Sequence, residues 1–390
     1  MRSHFACLTL LSLAAAVFGQ EECTVAIISG TATLDGRPLL WKNRDSSIRE
    51  NEVAFFRGSR YDFLGVINAG DTTQVWMGVN SAGLAIMNSE SMDQPGDSAD
   101  TEGFFMKQAL AVCGRLADLE ALLKQTNNDP RGTRANFGCI DAFGGAAFFE
   151  TGNRDYVRFD VDDEKTRRNG FLVRANFSMT GIQQEGYGSW RYHRGRTLLQ
   201  ERARQGLLTY DYLIRHVSRD LVTDEVNPYP LPFNGFMDEA AKGWLSTQNS
   251  INRHRTVSCA IFHGVKPGEP PVLTTFWCLL GEPICTVAVP LWVAAGPVSD
   301  LLDGAKTSLL NRIFQRRHDQ LYSDKNRPTF LDTNKLVGTR SFIVRLNHIE
   351  EEIRKDTEQA LQRWRVALPS GEEMAAFQND QLQYVARRYE

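Results

Sequence analysis

The sequence predicts an α+β fold, a domain of mostly antiparallel sheets covered by helical layers. Three observations point there: short apolar runs that are apolar on consecutive positions, one long segment with helical spacing, and brief connections between successive strand candidates. Strands apolar on both faces must be covered on both faces, which calls for a sheet packed between two layers. Brief connections force antiparallel pairing, because a parallel crossover needs about a dozen residues or more.

The elements can be justified in order. MRSHFACLTLLSLAAAVFGQ has one basic residue near its start, an apolar core from Phe5 to Phe18 and small Gly19. This is the layout of a secretory signal. The expected organisation is a signal peptide over 1–19, a short propeptide over 20–22 and a domain over 23–390 whose C-terminal extension turns helical from about Leu346. The product is expected to be periplasmic or secreted. Beyond the leader, the best apolar stretch is TVAVPLWVAAG, short of the roughly 18–20 residues of a membrane helix, so no membrane partner is expected after its removal.

From Cys23 onward VAIIS, LLW, VWMGV and LAIMN read as strands, with Asp35-Gly36 and Ser81-Ala82-Gly83 as turn signals. FFMKQALAVCGRLADLEALLKQ follows, with Phe105, Ala109, Val112, Leu116, Leu119 and Leu122 at helical spacing before the breaker-rich NNDPRGT. It predicts one amphipathic helix. Further strand candidates are IDAFGGAAFFE, DYVRFDV, GFLVRANF, TVSCAIFHG, PVLTTFWCLL and CTVAVPLWV, with the proline-rich NPYPLPFNG as a surface loop. Ser370 with Glu373 predicts a capping box for the last helix.

Composition narrows the function. Of 390 residues 42% are hydrophobic and 23% charged, so disorder is excluded as a main state. Forty-four basic against 47 acidic residues leave a formal net charge of −3, with no long run of one sign. Nucleic acid is excluded as a partner, since it selects a basic face; a homo-oligomer is compatible with the composition. Cys23, Cys113, Cys139, Cys259, Cys278 and Cys285 remain after the leader, too scattered for a disulfide scaffold. A two-residue turn at Gly281-Glu282 would set Cys278 against Cys285, within reach of a cross-strand disulfide. Strand alternation puts Arg255, Val257, Cys259, Ile261 and His263 on one face. Cys259 and His263 would then stand about 13 Å apart at roughly 3.3 Å per residue, too far to share a proton or an ion, so packing is the expected role. The histidines form no ligand cluster and DAFGGAAFFE lacks a phosphate-loop pattern; no metal or cofactor is expected.

The sharpest local feature is CTVAIISGTATLDGRPLLWKNRD, where Cys-Thr opens a strand and Asn-x-Asp ends the next. This segment resembles the N-terminal-nucleophile hydrolases of the linear-amide branch: choloylglycine hydrolases, penicillin V acylases and the isopenicillin N acyltransferase family. Its cysteine start with ATLDG is also similar to the dipeptidase branch. GVNSAGLAIMNSE resembles the family's hairpin with a trailing oxyanion asparagine, and VRANFS the segment carrying the second. The resemblance covers Cys23 to about Phe262 in motif order. WCLLGEPICTVAVPLW looks like a late hairpin of the acyltransferase-like hydrolases.

The resemblance implies a four-layer αββα sandwich and an amide hydrolase acting through a thioester. Cys23 would be the nucleophile, Asp45 the acceptor of its amine's hydrogen bond with Asn43 in support, and Asn88 and Asn176 the oxyanion donors. Lys42 stands where many relatives have arginine, and Arg44 competes with it as the cation near the thiolate. Arg255 lies near a late active-site arginine, with Arg253 as a rival. Chemistry explains why such a cysteine must come first: a thiol of pKa about 8.5 beside an amine of about 7.7 has its own base near neutral pH. While Cys23 is amide-linked to Glu22 that base does not exist. Removal of 20–22 by attack of the thiol on the Glu22 carbonyl is the expected maturation.

Alternatives remain open at this level. Cys23 could be a small buried residue, Asn43 and Asn88 turn residues, Asp45 a solvated carboxylate, and Asn176 the acceptor of an Asn-Phe-Ser sequon on an exposed loop. An acyltransferase shares the same intermediate, a dipeptidase the same nucleophile, and an exported binding protein the same fold. Bile-acid conjugates, phenoxyacyl β-lactams, N-acyl amino acids and peptides all share the scissile amide, so discrimination falls to loops such as 90–102 and 224–236.

Overall fold

The computed structural model describes residues 22–95, 101–164, 169–182, 187–229, 243–304, 307–339 and 341–389. The signal peptide expected over 1–19 and most of the NPYPLPFNG loop lie outside the described residues, as does part of each of the two loops expected to discriminate substrates.

The chain opens with β1 (Thr24–Ile28), β2 (Leu39–Asp45), β3 (Asn51–Phe56), β4 (Phe63–Asn68), β5 (Met77–Asn80) and β6 (Ala85–Glu90). Helices α1 (Glu102–Val112) and α2 (Leu116–Thr126) follow, then β7 (Ala135–Ile140), β8 (Ala146–Thr151), β9 (Tyr156–Asp160) and β10 (Phe171–Arg174). The second half carries α3 (Ser189–Arg204), the short α4 (Tyr210–Tyr212), β11 (Trp244–Ser246), β12 (Thr256–His263), β13 (Thr275–Leu279) and β14 (Val289–Leu291). It ends with α5 (Leu309–Leu321), β15 (Phe330–Asp332), α6 (Phe342–Val366) and α7 (Gly371–Tyr389).

One sheet runs β10-β1-β2-β12-β13-β14, a second β3 to β9 in chain order, and β11 pairs with β15. Every pairing among these strands is antiparallel. The large sheets face one another through β1 and β2 against β6 and β7, with α1 over β5 and β6 and α3 over β10 and β1. This is an α+β fold in four layers, helix, sheet, sheet, helix. Alternation explains the layering: Ala85 and Met87 join the core shared with β1 and β2, while Leu84 and Ile86 pack with Phe105, Met106 and Leu110 of α1. Gly138 keeps the sheets close, because a Cβ there would meet Ile27 and Leu40 side-chain carbons at 3.3 Å each.

Several elements differ from expectation. The helix predicted over 104–125 is two helices, interrupted at Cys113-Gly114-Arg115. Asn80 Nδ2 donates to the carbonyls of Leu110 and Cys113 at 2.8 and 2.7 Å, capping α1, and Asp141 accepts from Leu116 N at 2.9 Å, starting α2. A Cβ at Gly114 would lie 2.7 Å from the Tyr61 hydroxyl. IDAFGGAAFFE is not one strand throughout: 141–145 form a turn after β7, and only its AAFFE half is strand, in β8. Cys278 faces Val289 rather than Cys285, because a 3-10 turn at Pro283–Cys285 replaces the two-residue turn; both thiols are free. The capping box forms as written: Ser370 N donates to Glu373 Oε2 at 2.9 Å, and Glu373 N to Ser370 Oγ at 3.2 Å. No described helix is long and apolar enough to cross a membrane.

Candidate active site

β1 and β2 pair Thr24 with Asn43, and continuing that register by one residue sets Cys23 against Arg44. The hairpin loop spans 29–38, wide enough to bring Cys23 to the end of β2 where Asp45 sits. Cys23 and Asp45 are both buried, at 0% and 1% exposure. Val25 and Ile27 share the inter-sheet face with Lys42 and Leu40, so the Cys23 side chain belongs to that face as well.

A third strand fixes Asp45. β12 carries a bulge between Thr256 and Ser258, so that Thr256 opposes Asp45 while Ser258 opposes Arg44. Bulges re-aim side chains at sheet ends. Here Thr256 Oγ1 donates to Asp45 Oδ1 at 2.7 Å. The bulge also breaks the predicted alternation: Thr256 shares the face of Cys259, so Arg255 does not. Cys259 packs in the core, and His263 Nε2 pairs with Asp35 Oδ2 at 2.8 Å.

Two arginines converge on Asp45. Arg253 Nη1 lies 3.6 Å and Arg191 Nη1 3.9 Å from Asp45 Oδ2. Burial nevertheless pushes the Asp45 carboxyl up to about 6, against the pull of Arg253, Arg191 and the Thr256 hydrogen bond, with the charge of Glu22 adding to the rise. Arg191 is the residue that ties the site together. Its Nη1 donates to the Cys23 carbonyl and Thr24 Oγ1, and its Nη2 to Asn176 Oδ1, each at 2.9 Å.

Asn176 is wholly buried, which is incompatible with a glycan-bearing exposed loop. Its Nδ2 donates to Glu90 O at 3.2 Å and its carbonyl accepts from Met92 N at 3.0 Å, clamping the end of β10 to the segment after β6. Asn88, on β6, accepts from Lys42 Nζ at 2.8 Å, and the same ammonium donates to Trp76 O at 3.0 Å. Lys42 thus crosses between the sheets and fixes the Asn88 amide with its NH₂ as donor. Arg44 donates to Asn51 and Asn68 at 2.7 and 3.0 Å and stacks on Trp76. Asn43 Nδ2 donates to Ser218 O and Ile251 O at 2.9 and 3.1 Å, holding the loop that leads to Arg253.

That loop has a second anchor. Asn252 Nδ2 donates to Glu282 Oε1 at 2.6 Å, and Ile284 N to Asn252 Oδ1 at 3.0 Å. Burial pushes Glu282 up to about 8, opposed by hydrogen bonds from Tyr322 and Asn252.

Glu22 occupies the open side. Its carboxylate is hydrogen-bonded to Arg253 Nη1, 3.7 Å from Arg191 Nη2 and 3.8 Å from Arg255 Nη1. Burial pushes the Glu22 carboxyl up, but Arg253, then Arg191 and Arg255, outweigh that and hold it below its usual range. A cleft of about 300 Å³ surrounds it, lined by Tyr187, Trp190, Arg191, Gln248, Asn249 and Arg253 among others.

Of the residues singled out in the sequence, Cys23, Asp45 and Asn176 are linked through Arg191, and Lys42 and Asn88 form a pair across the sheets. Arg253 is the nearer arginine to Asp45; Arg255 reaches the Glu22 carboxylate. Arg191 itself was missed. The buried face of α3 is Arg191, Gly195, Leu199 and Ala203, a four-residue spacing that a search for apolar periodicity passes over because two of its members are Arg and Gly. Among the described residues no three His, Cys, Asp or Glu side chains converge as metal ligands.

No protein-family model matches the chain, and no curated protein matches it in sequence. Solved structures do. A variant of the conjugated bile acid hydrolase from Clostridium perfringens is 12% identical, with 69% of this chain and 92% of that one covered and a TM-score of 0.43. The Caenorhabditis elegans ortholog of N-acylethanolamine-hydrolyzing acid amidase is 13% identical over 62% and 92% of the two chains, TM-score 0.42. Penicillin V acylase from Agrobacterium tumefaciens is 12% identical over 69% and 86%, TM-score 0.41. By their own descriptions, these three are a hydrolase, an amidase and an acylase.

Proposed function

We propose that the chain is an exported hydrolase of linear amide bonds whose nucleophile is Cys23, acting once Cys23 has become the first residue. The observation that supports this reading is one buried arginine, Arg191, that holds the carbonyl of the buried Cys23 and the amide oxygen of Asn176 and stands 3.9 Å from the buried Asp45, with Asn88 fixed by Lys42 of the facing sheet. The Cys23 thiol attacks the amide carbonyl and its own amine takes the thiol proton. Asp45 accepts a hydrogen bond from that amine, and Asn88 and Asn176 donate to the oxyanion. The C–N bond then breaks, the leaving amine takes the proton, and water hydrolyses the thioester to the free acid. Neutral amides suit the oxyanion, since they donate without competing for the thiolate. Trimming uses the same sulfur without that base: the Cys23 thiol attacks the Glu22 carbonyl, water carries the thiol proton to the Cys23 nitrogen as the Glu22–Cys23 C–N bond breaks, and a second water hydrolyses the thioester, releasing 20–22 and freeing the amine.

Asp45 gives this reading a pH dependence. A carboxyl held at about 6 is ionised above that pH and protonated below it, and only the ionised form stabilises the positive charge that develops on the Cys23 nitrogen as its amide bond breaks. Self-trimming should therefore slow as pH falls through about 6. After trimming, turnover also needs the Cys23 amine unprotonated, so its acid limb should lie higher, in the range of an α-amine at about 7.7. Rates across pH 4–9 for both steps check this; Asp45→Asn should trim slowly and without the inflection near 6. A trimming limb near pH 6 retained in that variant would remove Asp45 from the role.

The activity itself is tested by incubating the processed protein with a panel of acyl amides and reading products by mass spectrometry. Release of free acid and amine, abolished by alkylation of Cys23, is expected. Turnover that survives complete Cys23 alkylation would exclude the mechanism.

A further inference from the structure

The Cys23 thiol meets two carbonyls if the hydrolase reading holds, on which this inference rests: that of Glu22 during trimming and that of the substrate during turnover. Both are attacked by one sulfur beside one pair of oxyanion donors, so the Glu22 side chain is the first acyl group the site accommodates. What holds its charge is therefore informative about later acyl groups.

Glu22 is held by charge. Arg253 and Arg191 are 5% and 2% exposed, and Arg255 completes the seat from the outer side. Asp45 is the other carboxylate near the first two, at 3.6 and 3.9 Å. When Glu22 leaves, its negative charge goes and the new amine can only add positive charge, so two buried guanidinium groups lose an anion. Buried charge without a counter-ion is costly, and a carboxylate meets a guanidinium with strong charge-assisted hydrogen bonds. A neutral acyl chain would leave that deficit in place.

We infer that the processed enzyme selects acyl groups ending in a carboxylate, set as far from the scissile carbonyl as the side-chain carboxylate of Glu22 is from its own. Three carbons separate the two groups, so the matching substrates are glutaryl amides and amides of an N-terminal α-glutamyl residue. The reaction is balanced hydrolysis: the amide C–N bond breaks, water adds hydroxyl to the acyl carbon and hydrogen to nitrogen, and glutarate or glutamate leaves with the amine.

The test compares two anilides on the processed protein, glutaryl and its uncharged counterpart in which the distal carboxylate is a primary amide. The expected kcat/KM favours the glutaryl anilide by about tenfold or more, mainly through KM. Arg255→Gln should bring that ratio toward one. Free glutarate should also protect Cys23 of the unsubstituted protein from iodoacetamide at concentrations where glutaramide does not, a reading that does not depend on a variant folding. Equal turnover of both anilides with no protection by glutarate overturns the selectivity and leaves the hydrolase standing. Turnover of neither these nor any other amide, with Cys23 exposed as the first residue, overturns both.

Discussion

Replacing Cys23 by alanine should leave a folded chain that neither trims itself nor turns over any amide. In the proposed mechanism both steps need the sulfur, and losing a covalent nucleophile typically costs about 10⁴–10⁶ in rate. Cys23 is fully buried at the start of a central strand, flanked by β10 and β2. Alanine keeps its backbone pairing and removes one sulfur atom. A melting curve within a few degrees of the parent, a mass still including Glu22 and no product on prolonged incubation are the expected results. Normal trimming by this variant would transfer the nucleophile elsewhere.

The second large effect is expected at Arg191. Its guanidinium holds the carbonyl of Cys23, the hydroxyl of Thr24 and the amide oxygen of Asn176, and stands 3.9 Å from Asp45. Alanine would leave these acceptors buried without their donor, and removing one partner of a buried charged pair costs about 3–5 kcal/mol. Arg191→Ala should melt well below the parent. It should also lose about 10²–10³ in kcat where it still folds, because Asn176, the proposed oxyanion donor, would lose one of the bonds that orient its amide and keep that to Glu90 O. Arg191→Lys keeps the charge but cannot span both carbonyl and amide, so it should recover stability more than kcat. Equal recovery of both would make Arg191 a purely structural cation.

How much of this was legible in the sequence follows from which residues carried a local signal. Strands such as LLW and LAIMN announced themselves by apolar runs, and the capping box by its four-residue pattern. Cys23, Asp45, Asn88 and Asn176 stood out through motif order. The interruption between α1 and α2 was hidden because Val112 and Leu116 keep helical spacing across it, while the caps come from Asn80 and Asp141, distant in sequence. β3 was hidden because its buried Asn51 and Glu52 are polar, satisfied by Arg44 and by Gly70 N. Arg253 and Arg255 could not be separated, since strand alternation does not reveal the bulge at Val257. The three-arginine seat draws on α3 and the loop before β12, and no spacing rule joins them.

The most direct measurement is the intact mass of the purified active enzyme, combined with selective acylation of its α-amine. A chain beginning at Cys23, whose turnover disappears when that amine is acylated, is the predicted result. An active chain that still carries Glu22, or one whose rate survives loss of the amine, would contradict a nucleophile that supplies its own base.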